Sequence, residues 1–320
     1  MSEIYSEIIG TGSYLPEKVV TNEDLSKVVD TSDEWIFTRT GIKERRVADD
    51  GEYTSDLSAR AISDALKNAN VSVDDVDLLI VATITPDLVF PATACIVQKK
   101  LGLKNAVVFD IQAACSGFVY GLTVADAMIK SGQYKTAVVV GAETLSRITD
   151  WTDRTTCVLF GDGAGAAVLR ATSKKTGILS YSIKSDGNYV DILKATGGPS
   201  MTKTSGNIYM EGKEVFKLAV ARMPEISKEV VAKAGYTMAD VDCFIPHQAN
   251  VRIIDAALKN LDIPEEKVVK SIQSHGNISS ACIPLALNIA TKNGQLKKGN
   301  KVLLTAMGAG FTWGSVFLEF

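Results

Sequence analysis

The sequence predicts an α/β protein assembled from two similar halves, and three patterns point that way. Helical and strand periods alternate along the chain, the strand-like runs are short and apolar, and the order of the first half returns in the second at a nearly constant offset. Alternating strands and helices imply a mostly parallel sheet covered by helices. An apolar run without polar alternation marks a strand buried on both faces.

The elements of the first half follow in order. Leu57, Ala61, Ile62, Ala65, Leu66 and Ala69 share one helical face, with Ser55 and Asp56 ahead of them as cap candidates. Leu78 to Ala82 is a buried strand. Val107-Val108-Phe109 and Ala137 to Val140 are read the same way, with a helix from about Gly117 to Lys130 between them.

The second half repeats this at a shift of 165 residues, which carries Asn70 onto Gly235. Both suit a left-handed helix stop. Ser72 then meets Thr237 and Asp75 meets Asp240, each pair spaced like a capping box. Val107-Val108 to Ile111-Gln112 matches Val268-Val269 to Ile272-Gln273, and Ala137 to Val140 matches Val302 to Leu304. Three matches in one order indicate internal duplication, at a period far too long for a solenoid. The boundary falls in the Gly/Ser/Thr-rich stretch from Thr172 to Gly206, where Gly197-Gly198-Pro199 cannot sit inside a regular element. The halves are thus residues 1–172 and 173–320.

Composition narrows the function. The 320 residues are 46% apolar and 22% charged, which excludes bulk disorder. A net charge of −3 argues against a nucleic-acid binder, which shows a basic face. Five Cys, widely spaced and never in a Cys-x-x-Cys pair, with only two His, disfavour a zinc site and a disulfide framework. Reduced thiols imply a cytoplasmic protein. Glu3 and Glu7 stand where a signal peptide carries bases. The uncharged stretches Ser271 to Thr291 and Val302 to Leu318 are too polar or too short for the roughly 20 apolar residues of a bilayer span, so no membrane insertion is expected.

Three residues stand out for chemistry. Cys115, in Ala113-Ala114-Cys115-Ser116-Gly117-Phe118, follows a strand and opens a helix. Free backbone N–H groups and the helix dipole there favour a thiolate and a lowered pKa. The other reading is a small buried residue, which is also the reading for Cys95, Cys157, Cys243 and Cys282. His247 stands at the carboxyl end of a strand, the edge where α/β sheets gather ligands, although a lone His is commonly a packing residue. Asn277, in Ser274-His275-Gly276-Asn277, corresponds to Ser116 at a shift of 161, so the two loops face each other across a pseudo-two-fold axis; the alternative is a helix N-cap. His275 reads as structural. Gly161 to Gly165 lacks the following helix of a dinucleotide fingerprint and the Gly-Lys-Ser/Thr of a P-loop. Gly308-Ala309-Gly310 reads as a strand-to-strand turn able to point a backbone N–H into a pocket.

Taken together, Ala113 to Gly117, His247-Gln248-Ala249-Asn250, Gly276-Asn277, Gly308 to Gly314, Asp33-Glu34-Trp35-Ile36 and Arg39-Thr40-Gly41-Ile42 closely resemble the β-ketoacyl-[acyl-carrier-protein] synthase III family, over essentially the whole chain. The resemblance implies a thiolase-like fold, with two duplicated βαβαβαββ-type halves in a five-layered αβαβα arrangement, and a homodimer. It implies the initiating condensation of type II fatty-acid synthesis, with acyl-CoA (acetyl-CoA by default) and malonyl-acyl-carrier protein as substrates and no metal or redox cofactor. Cys115 is then the nucleophile, His247 and Asn277 hold the enolate, and the N–H groups of Cys115 and Ala309 form the oxyanion hole. Trp35 and Arg154 match the pair around the CoA adenine, and Thr31, Arg39 and Asn250 match further CoA contacts. Phe90 matches the residue that closes the acyl pocket across the dimer. Lys217, Arg252 and Lys259 match a carrier-protein docking patch, although the two Lys read equally as solvated surface. Ala309, Ile278 and Cys282 depart from the residues frequent in the family at those places. Rival readings are another thiolase-like condensing enzyme making a polyketide or quinolone starter, a Cys-dependent thioester hydrolase, and a non-catalytic scaffold.

Overall fold

The computed structural model describes residues 3–320; Met1 and Ser2, the start of the N-terminal stretch read above, lie outside it. A five-stranded sheet holds β1 (Tyr5–Tyr14), β2 (Leu78–Ala82), β3 (Val107–Ile111), β4 (Thr136–Thr144) and β5 (Asp162–Thr172), in the spatial order β1-β5-β4-β2-β3. A four-stranded sheet holds β6 (Gly177–Ser185), β7 (Cys243–Pro246), β8 (Lys301–Gly308) and β9 (Thr312–Glu319), in the order β7-β8-β9-β6. The helices that shape the site are α1 (Thr54–Ala69), α2 (Gly117–Lys130), α3 (Gly212–Lys233), α4 (Val251–Leu258) and α5 (Cys282–Lys292).

The period of two along each strand divides the side chains between separate cores. Leu79 and Val81 of β2, with Val138 and Val140 of β4, pack beneath Leu57, Ala61 and Ala65 of α1 and Ala94 and Val97 of helix Thr93–Leu101. Leu78, Ile80, Ala137 and Val139 face the other way. There they meet Phe118 and Leu122 of α2, Ile283 and Leu287 of α5, and Ile245, Leu304 and Val316 of the second sheet. Phe244, Leu303 and Phe317 on the far face of that sheet pack against Met223 and Val230 of α3 and Ile254 of α4. The layers therefore run α, β, α, β, α, a thiolase-like arrangement in which α2 and α5 share the middle. Cys115 lies just before α2 and Asn277 just before α5, so the central layer points both helix starts at one place.

Several expectations need correction. The sheets are mixed rather than mostly parallel: β2–β3, β2–β4 and β7–β8 are parallel, while β4–β5, β5–β1, β8–β9 and β9–β6 are antiparallel. A parallel pair needs a long crossover. The link from β8 to β9, only Ala309-Gly310-Phe311, is far too short for one. β3 is an edge strand with Val107 49% exposed, and so is not buried on both faces. Helix α1 starts at Thr54; Ser55 and Asp56 lie in its first turn, where the Asp56 carboxylate accepts from the Tyr53 N–H at 3.1 Å. Cys157 is buried in one cluster with Ile36 and Leu145, as a small packing residue should be, whereas Cys95 is exposed on helix Thr93–Leu101. The strand expected at Val268 to Ile272 shrinks to one bridge between Phe244 and Val268. The Gln248 side chain takes the backbone N–H groups of Ser271 and Ile272 in place of a ladder. A nine-residue strand, β6, occupies part of the stretch read as the boundary. Asn70 (φ 52°) and Gly235 (φ 83°) do adopt left-handed stops, and Thr237 with Asp240 forms a capping box, whereas Ser72 accepts from the Asp74 N–H and forms none with Asp75.

Candidate active site

Cys115 sits in a single helical turn, Ala114–Ser116, between β3 and α2, and is 8% exposed. The turn is tied to the β8–β9 connection from both sides. Ser116 Oγ donates to the Thr312 carbonyl at 3.1 Å, and Thr312 Oγ1 donates to the Ala113 carbonyl at 3.0 Å. Gly308 closes the contact, because a β-carbon there would stand 2.6 Å from the Cys115 backbone nitrogen. The N–H groups of Cys115 and Ala309 therefore belong to one braced pair of turns. The expected lowering of the thiol pKa is outweighed in the resting chain: burial pushes Cys115 up to about 12, against hydrogen bonding that pulls it down.

His247 continues β7, its N–H donating to the Thr305 carbonyl at 2.8 Å. It is 3% exposed, and its Nδ1 has no hydrogen-bond partner among the described residues. Desolvation pushes its pKa down to about 3, so the ring is neutral. Asn277 is pinned to the first half: its N–H donates to the Leu159 carbonyl at 2.8 Å, and its carbonyl accepts from Gly161 at 3.0 Å. Its Oδ1 accepts from the Ser279 N–H at 2.8 Å, so the N-cap-like bond exists and turns the amide NH2 to other use.

Cys115, His247 and Asn277 line one cavity of about 140 Å³, with Asn250, Gly308 and Phe311 among the other walls. A second cavity of about 400 Å³ shares Cys115 and is bounded by Ile84, Leu145, Ile148 and Ile208, with Ser279 and Ala309 at the reacting end.

Supporting residues to which the sequence assigned no role join the loops. Gln248 is fully buried; Nε2 donates to the Pro246 and Val269 carbonyls, and Oε1 accepts from Ser271 and Ile272. Its place beside His247 was the available signal. The Cys282 sulfur accepts from the Ile278 N–H at 3.1 Å and lies 3.5 Å from Asn277 Oδ1. Glu143, an acid ending an apolar strand, accepts from the Thr83, Thr85 and Ser280 hydroxyls and the Ile84 N–H; burial pushes it up to about 7.

Comparison with known proteins assigns the chain to a family. Residues 109–187 match the family model for 3-oxoacyl-[acyl-carrier-protein (ACP)] synthase III, and residues 231–320 match its C-terminal counterpart. A β-ketoacyl-[acyl-carrier-protein] synthase III of Wolbachia pipientis is 54% identical over 316 residues, covering 98% of this chain and 99% of the relative. The chain belongs to the β-ketoacyl-[acyl-carrier-protein] synthase III family. It is a condensing acyltransferase of fatty-acid synthesis. The crystal structure of the synthase III from Aquifex aeolicus superposes with a TM-score of 0.94 at 51% identity, covering 98% of this chain and 100% of that one. A priming β-ketosynthase of a polyketide pathway is as close in fold, with a TM-score of 0.95, but only 34% identical over 100% of this chain and 97% of that one. Sequence therefore separates the two where shape does not.

The outer residues expected for a synthase III fall into three groups. Arg154 and Arg39 both stack on the Trp35 ring, at 5.1 and 4.5 Å, and Thr31 Oγ1 close by in sequence is buried without a partner among the described residues. Asn250 caps α4 and lines the Cys115 cavity. Arg252 and Lys259 are exposed on or beside α4, and Lys217 is exposed on the adjoining α3, paired with Glu214 at 2.6 Å. Phe90 is 82% exposed and lines neither cavity of its own chain. No described helix is long and apolar enough to cross a membrane.

Proposed function

We propose that the chain joins an acyl group from acyl-CoA, acetyl by default, to malonyl-acyl-carrier protein, with Cys115, His247 and Asn277 as the catalytic residues. The observation that carries this reading is their convergence on one buried cavity from loops far apart in sequence. The Cys115 sulfur attacks the acyl-CoA carbonyl, the bond to the CoA sulfur breaks, and the thiol proton leaves on CoA. The N–H groups of Cys115 and Ala309 hold the oxyanion; their mutual bracing supports this role. Malonyl-carrier protein then enters. Its bond to the carboxylate breaks, carbon dioxide departs, and the electron pair moves into an enolate whose oxygen accepts from His247 and the Asn277 NH2. A neutral imidazole is suited to donate there. The carbanion attacks acyl-Cys115, and the released thiolate takes a proton from solvent. Decarboxylation supplies the electron pair, so the reaction calls for no redox cofactor.

Trp35 and Arg154 flank the CoA adenine in this reading, with Thr31, Arg39 and Asn250 as further contacts; Arg154, which stacks on Trp35 at 5.1 Å in the resting chain, moves outward to admit the base. Arg252, Lys217 and Lys259 receive the acidic carrier protein, which a mildly acidic chain can do through a local cationic face. Residues 1–172 and 173–320 are the duplicated halves, each giving one helix to the central layer. The enzyme is a cytoplasmic homodimer, and its five free thiols suit a reducing compartment.

The test is intact-mass detection of acyl adducts across a panel of acyl-CoAs, followed by product analysis with malonyl-carrier protein. The wild type should gain one acyl group and Cys115→Ala none. Release of free acid without carbon dioxide would replace the reading with thioester hydrolysis.

A further inference from the structure

Ser279 faces the cavity that Cys115 shares with Ala309, and the steps above give it nothing to do. It opens the turn Ser279–Ala281 ahead of α5, is 2% exposed, and its Oγ has no hydrogen-bond partner among the described residues. An unpaired buried hydroxyl is costly. Ser279 is also held at φ 45°, a left-handed conformation that residues with a β-carbon avoid. Its neighbours impose this. Asn277 Oδ1 fixes its N–H, and Ser280 anchors to the Ala82 carbonyl and to Glu143. Strain maintained by surrounding structure clusters at functional sites.

The side chain so placed is the one whose hydroxyl favours charge on the Cys115 sulfur against the burial that opposes it. A neutral thiol is a weak acceptor, and in the resting chain no bond to it is formed. A thiolate is a strong one. The other titratable groups around that sulfur do not serve: Glu143 at the end of β4 and Cys282 at the start of α5 oppose a charge there, and His247 is neutral.

We propose that Ser279 is a further catalytic residue whose hydroxyl donates to the Cys115 sulfur while that sulfur carries charge, both in attack on acyl-CoA and in its expelled form after condensation. This rests on Cys115 being the nucleophile. The test follows the pH dependence of Cys115 alkylation by iodoacetamide, mapped by mass spectrometry, beside self-acylation by acetyl-CoA. Wild type is compared with Ser279→Ala and Ser279→Gly. Gly is at ease at positive φ and so separates the hydroxyl from the backbone. Both variants should shift the alkylation profile to higher pH and slow self-acylation about tenfold, the size of one charge-assisted hydrogen bond. An unchanged profile in both, or wild-type behaviour in Ser279→Gly, overturns the proposal alone. Acylation surviving in Cys115→Ala overturns it together with the nucleophile reading.

Discussion

At the scale of single residues, burial decides the protonation states. Desolvation pushes His247 from its ordinary 6.5 to about 3 and His275 to about 4. Below 6.5 the unfolded chain therefore binds a proton at each ring that the folded chain does not, and stability falls with pH until the folded values are reached. Glu143, raised to about 7, acts in the opposite sense, favouring the folded chain at low pH and losing that contribution between 4.5 and 7. Replacing His247 by Asn removes one of the two imidazole contributions. The slope of unfolding free energy against pH between 4.5 and 6.5 should then drop by about 1.4 kcal/mol per unit relative to wild type, measured by urea denaturation. The same variant should lose about 10²- to 10³-fold in condensation, as when one oxyanion donor is removed, yet still self-acylate; parallel slopes would refute the buried neutral ring. The positions of Cys115 and His247 were legible from their strand and helix junctions, and that of Asn277 from its match to Ser116 across the repeat. The direction of the Cys115 pKa was not, because the helix start is visible in sequence while the depth of burial is not.

At the scale of elements, the site depends on how closely the β8–β9 turn meets the start of α2. A β-carbon on Gly308 would stand 2.6 Å from the Cys115 nitrogen and 2.9 Å from the Ala113 oxygen, backbone atoms that cannot swing away. Gly308→Ala should thus separate the two oxyanion donors and cut self-acylation by about 10²-fold, the cost of a misplacement near 1 Å. Intact-mass kinetics measures it, and near-wild-type acylation would show that the turns can part without loss. Helix α2 was readable to its last residue, since Phe118, Val119, Leu122, Ala125 and Ile129 repeat at helical spacing. The antiparallel returns of β5 and β9 were not, because local pattern records that a segment is a strand but not which way its partner runs. The missing strand at Val268 to Ile272 has a similar cause: the Gln248 amide, far away in sequence, satisfies that backbone.

At the scale of the whole molecule, the single chain leaves the β3 edge and an apolar ridge exposed. β3 pairs only with β2, and Val107 at its start is 49% exposed. Such an edge invites a further strand unless something covers it. Leu88, Val89 and Phe90, three consecutive large apolar residues, stand out from the same half at 52%, 76% and 82% exposure, the kind of surface that marks an interaction site. The 400 Å³ cavity beside Cys115, meanwhile, has no wall from Phe90 of its own chain. A homodimer joined along β3 would cover the edge, bury the ridge and let Phe90 of the partner subunit close that cavity. Sedimentation at micromolar concentration should give a dimer of the 34.2 kDa chain. Val107→Lys, which sets a charge on the edge, should shift it toward monomer and reduce acylation in step. Phe90→Ala should keep the dimer while letting Cys115 accept longer acyl groups, read as heavier adducts in the intact mass. A wild-type monomer that acylates fully, or an unchanged acyl range in Phe90→Ala, would confine the acyl pocket to one chain.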